Sequence, residues 1–301
     1  MGAHVIAVVG ATATGKSGLA IELARALDGE IVNADSMQLY QGMDIGTAKE
    51  PEAARQGVPH HLLDIWPVTQ AANVADYAKL ARAAIEEITA RGRMPILVGG
   101  SGLYVRAALD DLNFPGTDWV IRSRLEDELT RLGAAALHAR LAALDPAAAG
   151  AILPSNGRRI VRALEVIEIS GRPFVATMPA YQQNRPAVQF GLTLPRPELD
   201  RRIAARVDRM WQAGLEAEVR SLAGQGLREG RTASRALGYQ QLLRYLDGEW
   251  TLDEARLETV KVTRRFARRQ ESWFRRDPRV TWLDASSPTL LPEALRHARP
   301  S

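Results

Sequence analysis

Apolar runs of strand length alternate with helical stripes along the first hundred residues. Strands are predicted over residues 5–9, 30–34 and 94–98, and helices over residues 17–27 and 75–90. Leu19, Leu23 and Leu27 give the first of these helices its apolar stripe. Strands that alternate with helices predict an α/β fold, in which helices flank a parallel sheet.

The strand pattern disappears between residues 111 and 181. Three helices are predicted there, over residues 121–132, 134–144 and 157–169, with proline and glycine between them. A strand returns at 188–194, followed by helices over 199–224, 234–246 and 253–275, an edge strand over 279–283, and frayed residues after 286. We therefore predict a core domain of residues 1–110 and 186–301 that carries an all-helical insert of residues 111–185.

Composition narrows the class of protein. The 301 residues are 46% hydrophobic and 25% charged, as in ordinary globular proteins, and no apolar run approaches the roughly 20 residues that span a bilayer. The N-terminus lacks the pattern of a signal peptide, and the absence of cysteine excludes disulfides, thiolate zinc sites and a cysteine nucleophile. We expect a cytoplasmic protein without a membrane partner, and a monomer.

Positive charge is concentrated near the C-terminus. Residues 256–279 hold nine Arg or Lys against three acidic residues, a local charge of +6, whereas the net charge of the whole chain is only +4. On the predicted helix, Lys261, Arg265 and Arg268 share one stripe, and Val262, Phe266 and Trp273 share another. Such a helix can follow a phosphate backbone, although solvated basic helices without a partner are common.

The segment after the first strand has the spacing of a P-loop. Gly10 and Gly15, five positions apart, precede Lys16 and Ser17, so that backbone N–H groups can surround a phosphate, Lys16 can add a positive charge and Ser17 can bind Mg²⁺. The motif does not identify the phosphate compound, and an ATP- or GTP-dependent kinase is the default interpretation. The predicted phosphate-binding residues are Gly10, Ala11, Thr12, Ala13, Thr14, Gly15, Lys16 and Ser17.

Two further strand ends carry candidate chemistry. Asp35 follows the second strand and Gly99 ends the third, so both are predicted to lie beside Gly10 at one edge of the sheet. Asp35 could hold Mg²⁺ or accept a hydroxyl proton in a kinase, accept an amine proton in an alkyl transfer, or only cap a turn. A metal site could be suggested by His60, His61 and Asp64. We favour a structural role for these residues, because the side chains of adjacent residues in an extended segment point apart.

Taken together, these segments resemble the tRNA dimethylallyltransferase family, also called tRNA isopentenyltransferases, of the bacterial type. The resemblance extends over nearly the whole chain and is far more specific than the P-loop alone. It rests on residues 10–17, 35–40, 44–49, 58–64, 99–104, 158–165, 235–239 and 268–275, which occur in family order.

The resemblance implies transfer of a dimethylallyl group from dimethylallyl diphosphate to N6 of the adenosine on the 3′ side of the tRNA anticodon, with Mg²⁺ required. The P-loop would then hold the diphosphate leaving group, with Lys16 and Arg206 as clamps and Asp35 as the proton acceptor. The helical insert would grip the anticodon stem-loop. The matching tRNA-binding positions are Asp35, Ser36, Met37, Gln38, Ser101, Arg122, Arg158, Arg159, Ile160, Val161, Arg162, Arg235, Gly238, Tyr239, Arg268, Arg269, Gln270, Trp273 and Arg275.

The chain departs slightly from the family pattern. Ala-Thr-Ala-Thr precedes Gly15 where the family reads Pro-Thr-Ala-Ser, Ser101 replaces threonine, and Glu271 interrupts an uncharged stretch. Three competing functions stay open: a prenyltransferase acting on free adenine nucleotides, a P-loop small-molecule kinase, and a noncatalytic RNA-binding protein.

Overall fold

A computed structural model describes residues 5–112, 114, 116–174 and 181–298. The chain divides into two compact units, one formed by residues 1–111 and 183–301, the other by residues 112–182. In the described part of the chain, no helix is both long enough and apolar enough to cross a membrane.

The described residues of the first unit form a six-stranded parallel sheet. In this sheet Ile6 lies opposite Ile96 on one side and Val188 on the other. The central strand over residues 5–10 is buried along its whole length, which explains its continuous apolar run. The strands are β1 (Val5–Gly10), β2 (Gly29–Asn33), β3 (His60–His61), β4 (Met94–Gly99), β5 (Ala187–Thr193) and β6 (Val280–Asp284). Their order across the sheet is β3-β2-β4-β1-β5-β6.

Helices flank the sheet, which confirms the predicted α/β class. Near the N-terminal half they are α1 (Lys16–Ala26), α2 (Val74–Ala90) and α3 (Gly102–Leu109). After the second unit come α7 (Arg196–Gln212), α8 (Leu215–Ala223), α9 (Tyr239–Leu246), α10 (Leu252–Phe274) and α11 (Leu290–Ala298).

The second unit is helical throughout its described residues. It contains α4 (Trp119–Leu144), α5 (Pro146–Ala151) and α6 (Gly157–Ser170). Two helices meet within α4 at Gly133, whose φ of 81° and ψ of 164° are not helical, so the division predicted between 121–132 and 134–144 is confirmed. Leu125, Leu141 and Leu164 are buried together and form the core of this unit.

Several predicted elements need correction. The helix predicted over 199–224 is two helices, α7 and α8. Gly214 adopts φ 93°, which is not a helical value, and so interrupts the helical backbone between them. The helix predicted over 234–246 begins only at Tyr239, after a 3-10 turn over Ala233–Arg235 and Gly238 at φ 87°. Neither α3 nor the two-residue strand β3 was predicted.

Among the residues predicted to fray after 286, Leu290–Ala298 instead form helix α11, and residues 299–301 lie outside the described part of the chain. Ala294 and Ala298 recur one helical turn apart and are buried in a core cluster with Leu19 and Leu23 of α1. Their small side chains allow α11 to pack closely against this core. Proximity to the end of the chain was therefore a poor guide to order at these residues.

Candidate active site

The loop between β1 and α1 has the backbone geometry of a phosphate-binding loop. Gly10 adopts φ 135°, and a Cβ atom at this position would lie 2.8 Å from the carbonyl oxygen of Leu192 in β5. Ala13 and Gly15 also adopt left-handed conformations, with φ values of 65° and 93°. Turns of this kind direct successive backbone N–H groups to one side, where they can bind phosphate oxygens.

A basic cavity of about 440 Å³ opens beside this loop, with Lys16 on its wall. The Lys16 ammonium donates a hydrogen bond of 2.7 Å to the carbonyl oxygen of Ala11. Burial and the charge of Arg206 lower the pKa of Lys16 to about 8, while the Asp35 carboxylate opposes this shift. Helix α7 contributes Arg201, Arg202, Arg206 and Arg209 to the cavity wall. The concentration of positive charge suits a polyanion such as a diphosphate.

Ser17, in the first turn of α1, is the residue predicted from the sequence to bind Mg²⁺. Its side chain is half-buried and lines both the basic cavity and a small pocket beside it. The described residues contain no cluster of three His, Cys, Asp or Glu side chains that could enclose a metal. A single hydroxyl fits Mg²⁺, because this ion is usually held by one or two protein ligands together with substrate phosphates.

Asp35 lies in a tight turn directly after β2. Its Oδ1 atom accepts a hydrogen bond of 2.9 Å from the backbone N–H of Met37. Its own N–H donates to Oδ1 of Asn33, also at 2.9 Å. The carboxylate is half-buried and lines a cavity shared with Arg206. Asp35 is thus held in one orientation at the wall of the cavity, as a general base must be.

The three strand ends meet closely at this edge of the sheet. A Cβ atom on Gly99 would lie 2.3 Å from the backbone of Ala34, so only glycine permits this approach of β4 to the segment after β2. The Ser101 hydroxyl oxygen accepts a hydrogen bond of 3.2 Å from the N–H of Ser36. The Ser101 hydroxyl therefore braces the turn that carries Asp35.

A second, largely apolar cavity of about 280 Å³ adjoins the basic one, and Arg206 lines both. The sequence does not predict this cavity, because the helical spacing of Ile203, Val207 and Met210 indicates a packing face without indicating what the face encloses. Thr12 and Asp35 provide polar groups on its wall. The apolar lining includes Met37, Ile203, Val207, Met210, Leu237 and Phe266.

Gln270 of α10 is buried, so its side chain does not lie at the surface predicted to contact tRNA. Trp273 is half-buried and lines an open pocket with Arg268 and Arg269, and its contact with tRNA stays a prediction. The Oε1 atom of Gln270 accepts a 2.9 Å hydrogen bond from the N–H of Thr12, and its Nε2 atom donates to the carbonyl of Gly100, also at 2.9 Å. Trp273 packs so closely on Gly102 that a Cβ there would lie 2.1 Å from the indole ring. Both side chains fasten α10 to the glycine-rich segments.

Tyr239 also needs correction, because its side chain is fully buried. Its hydroxyl donates a 2.5 Å hydrogen bond to the carboxylate of Glu218. The preceding Gly238 is buried and adopts φ 87° at the N-terminus of α9. These two positions shape the backbone of the site region and present no side chain to solvent.

Four predicted tRNA-binding arginines of the first unit are exposed: Arg235, Arg268, Arg269 and Arg275. Arg235 and Arg269 also line the apolar cavity. Arg275 is partly engaged within the chain, since its guanidinium pairs with Glu271 at 2.7 Å and lies 4.7 Å from the Trp282 ring centroid. Glu271, which departs from the family pattern, therefore neutralises part of the charge at this position.

In the second unit, Ile160 and Val161 are buried in the helical core, so their side chains are not surface contacts as predicted. Arg122 and Arg162 both form ion pairs with the buried carboxylate of Glu165. The remaining predicted arginines of this unit, Arg158 and Arg159, are exposed. The basic surface on α6 is thus smaller than the sequence suggested.

His60 and His61 form β3 and have separate partners. His60 Nδ1 lies 2.8 Å from the Val58 carbonyl oxygen, whereas His61 Nε2 lies 2.6 Å from a carboxylate oxygen of Glu30. Asp64 instead forms a 2.5 Å ion pair with the buried ammonium of Lys49. Each of the three side chains therefore has its own partner within the chain.

Known proteins resemble this chain over nearly its whole length. The tRNA dimethylallyltransferase of Thermobifida fusca is 68% identical over 295 residues, which cover 96% of this chain and 92% of that protein. The protein of the same name from Streptomyces avermitilis is 68% identical over 287 residues, covering 95% of this chain and 92% of its own length.

Solved structures show the same fold. The full-length tRNA isopentenylpyrophosphate transferase of Bacillus halodurans matches with a TM-score of 0.72 and 41% identity, over 99% of this chain and 95% of its own. A eukaryotic dimethylallyltransferase acting on tRNA matches with a TM-score of 0.79 and 26% identity, over 95% of this chain and 74% of its own. The family model described as IPP transferase matches residues 38–277, and this chain therefore belongs to the IPP transferase family.

Proposed function

We propose that this protein is a tRNA dimethylallyltransferase. It transfers the dimethylallyl group of dimethylallyl diphosphate to N6 of the adenosine on the 3′ side of the tRNA anticodon, releasing diphosphate. One observation carries the proposal: the basic cavity at the P-loop and the apolar cavity at Asp35 adjoin each other, with Arg206 in both walls. A donor with a diphosphate and a short apolar group matches this pair of cavities.

The diphosphate lies in the basic cavity. The backbone N–H groups of the loop, the Lys16 ammonium and the Arg206 guanidinium stabilise the charge that grows on the diphosphate as the allylic carbon–oxygen bond breaks. Ser17 is the residue that would hold Mg²⁺, which when bound neutralises charge on the diphosphate oxygens. The P-loop thus binds a leaving group, and no phosphoryl transfer is required.

The dimethylallyl group and the acceptor base occupy the apolar cavity. The N6 nitrogen forms a bond to the first carbon of the dimethylallyl group, and the electron pair of the breaking carbon–oxygen bond leaves with diphosphate. The N6 proton passes to Asp35, whose half-buried carboxylate lines this cavity. Ser36, Met37 and Ser101 line the same cavity and are the side chains proposed to contact the extruded adenine.

The tRNA backbone contacts the exposed arginines. Basic side chains contribute affinity for any phosphate backbone, while the cavity selects the base. On the first unit these are Arg235, Arg268 and Arg269, and on the second unit Arg158 and Arg159. We place the reaction in the cytoplasm and assign it to a monomer, which sedimentation at assay concentration would test.

The test compares acceptors. Purified protein is incubated with Mg²⁺ and radiolabelled dimethylallyl diphosphate, together with unmodified tRNA, with AMP or with ATP. A matched tRNA carries guanosine in place of the target adenosine and so lacks the N6 amine. We expect label only in the tRNA that has the adenosine. Label in AMP or ATP would identify a free-nucleotide prenyltransferase, and ATP consumption without labelled tRNA would identify a kinase.

A further inference from the structure

The carboxylate of Glu218 in α8 holds a loop over residues 44–46, which lies far earlier in the chain. Its Oε2 atom accepts hydrogen bonds from the backbone N–H groups of Asp44 and Ile45, at 3.2 and 2.7 Å. Its Oε1 atom accepts a third from the N–H of Gly46 at 3.2 Å. Three consecutive N–H groups on one carboxylate fix the path of the backbone over residues 44–46.

Tyr239 holds the same carboxylate from the other side. Its hydroxyl donates to Oε1 of Glu218, and its ring lies against Gly46, where a Cβ atom would be only 2.4 Å from the ring. Burial and the neighbouring charge of Glu218 raise the pKa of Tyr239, so its hydroxyl stays protonated and keeps donating. Glu218, Tyr239 and Gly46 therefore form one packed unit.

The loop supported in this way accepts hydrogen bonds from two side chains of the predicted site. The carbonyl oxygen of Thr47 accepts a hydrogen bond of 3.1 Å from Nη2 of Arg206, which lines both cavities. The same oxygen accepts one of 3.2 Å from the side-chain amide of Gln38. The Thr47 carbonyl thus contacts both Arg206, which lines the two cavities, and Gln38, which lines a small pocket beside Ser17.

We infer that Glu218 is a positioning residue, which acts through the 44–47 loop to align Arg206 and Gln38. The inference rests on the proposed function, because it assigns Glu218 a role in that reaction. An amide at this position would place an NH₂ group against N–H donors, so the loop would shift. A small displacement of a substrate-binding group can change rates considerably, even when the substituted residue never contacts substrate.

The experiment compares Glu218→Gln with Glu216→Gln. Glu216 lies on the same helix and pairs with Arg220 at the surface, so its variant is a matched control. For each protein we would measure thermal unfolding, KM and kcat for dimethylallyl diphosphate, and the affinity for inorganic diphosphate by calorimetry. We expect Glu218→Gln to raise the donor KM and weaken diphosphate binding by about tenfold, with Glu216→Gln unchanged.

A double mutant tests the route through Arg206. In an Arg206→Ala background, Glu218→Gln should weaken diphosphate binding little further, because the group it aligns is already absent. Additive losses would contradict the inference. So would a folded Glu218→Gln variant with lower thermal stability but unchanged donor KM and diphosphate affinity, since that describes a purely structural residue.

Two controls distinguish a failure of the positioning role from a variant that does not fold and from a failure of the proposed function. If Glu218→Gln does not fold, Tyr239→Phe removes one donor to the carboxylate, and unchanged KM and diphosphate affinity in that variant would overturn the inference. Diphosphate binding is measured without tRNA and without turnover. If the wild-type protein labels no tRNA while Glu218→Gln still weakens diphosphate binding, the proposed function fails and the positioning role stands.

Discussion

The side-chain oxygen of Gln270 accepts a hydrogen bond of 2.9 Å from the backbone N–H of Thr12, so helix α10 fastens the phosphate-binding loop directly. The amide group of the same residue donates to the carbonyl of Gly100. Gly100 permits this contact because a Cβ atom there would lie 2.2 Å from the Gln270 amide nitrogen. One side chain thus joins two of the three strand-end segments that form the site.

Replacement of Gln270 by leucine should impair donor binding more than tRNA binding. The N–H of Thr12 and the carbonyl of Gly100 would both lose a partner, and each such loss in a buried site costs about 1–3 kcal/mol. We expect a raised donor KM and a lower free energy of unfolding, measured by steady-state kinetics and denaturant titration. A variant with normal donor KM and weakened tRNA binding would restore Gln270 as a tRNA contact.

The pH dependence of donor capture should reflect Lys16, whose pKa is lowered to about 8. Above this pH the free enzyme loses the ammonium that binds diphosphate, so kcat/KM for the donor should fall as pH rises. Burial lowers the pKa of Lys16 from 10.5 in the unfolded chain to about 8 in the folded protein. Between these two pH values the unfolded chain binds more protons than the folded protein, so the contribution of Lys16 to the free energy of unfolding rises with pH while donor capture falls.

The matched variant is Lys16→Arg, which stays charged at alkaline pH. Its kcat/KM should be lower overall but should not fall near pH 8. An identical alkaline fall in both proteins would assign the titration to another group.

Replacement of Asp35 by asparagine should abolish transfer and spare binding. The amide oxygen can still accept from the N–H of Met37, which preserves the turn, but the side chain can no longer take up a proton. We expect single-turnover transfer to fall by about 10²-fold or more, with unchanged tRNA affinity in filter binding. Near-normal transfer would remove Asp35 as the general base.

Arg268 is exposed on α10 and should act through phosphate contact alone. Arg268→Ala should weaken the binding of any tRNA, whatever its anticodon, and lower the slope of log affinity against log salt by roughly 1. Lys79→Ala, on the exposed face of α2, removes an equal charge outside the predicted tRNA surface and is the control. Equal effects of both variants would indicate a general charge effect.

The glycine loop and the parallel sheet could be predicted from the sequence, because each depends on residues close together in the chain. The P-loop spacing, the apolar strand before it and the helix after it lie within residues 5–27. The meeting of Gly10, Asp35 and Gly99 followed from the rule that the carboxyl ends of parallel strands share one edge.

The apolar cavity could not be predicted, since its walls come from distant parts of the chain. Val207 and Phe266 lie on different helices, and the spacing within each helix predicts only a packing face. Likewise, no local pattern distinguishes an exposed side chain such as Arg268 from a buried one such as Gln270, two positions later on the same helix. The direction of each depends on how α10 packs against the glycine segments.

The most direct test of prenyl transfer follows both halves of the donor. Purified protein and unmodified tRNA are incubated with dimethylallyl diphosphate labelled either in the allylic group or in the terminal phosphate, and the tRNA and the released phosphates are separated. We predict that the allylic label enters tRNA in an amount equal to the diphosphate released, while the phosphate label stays in diphosphate. Phosphate label in tRNA, or its release as inorganic monophosphate, would contradict prenyl transfer and indicate phosphoryl transfer.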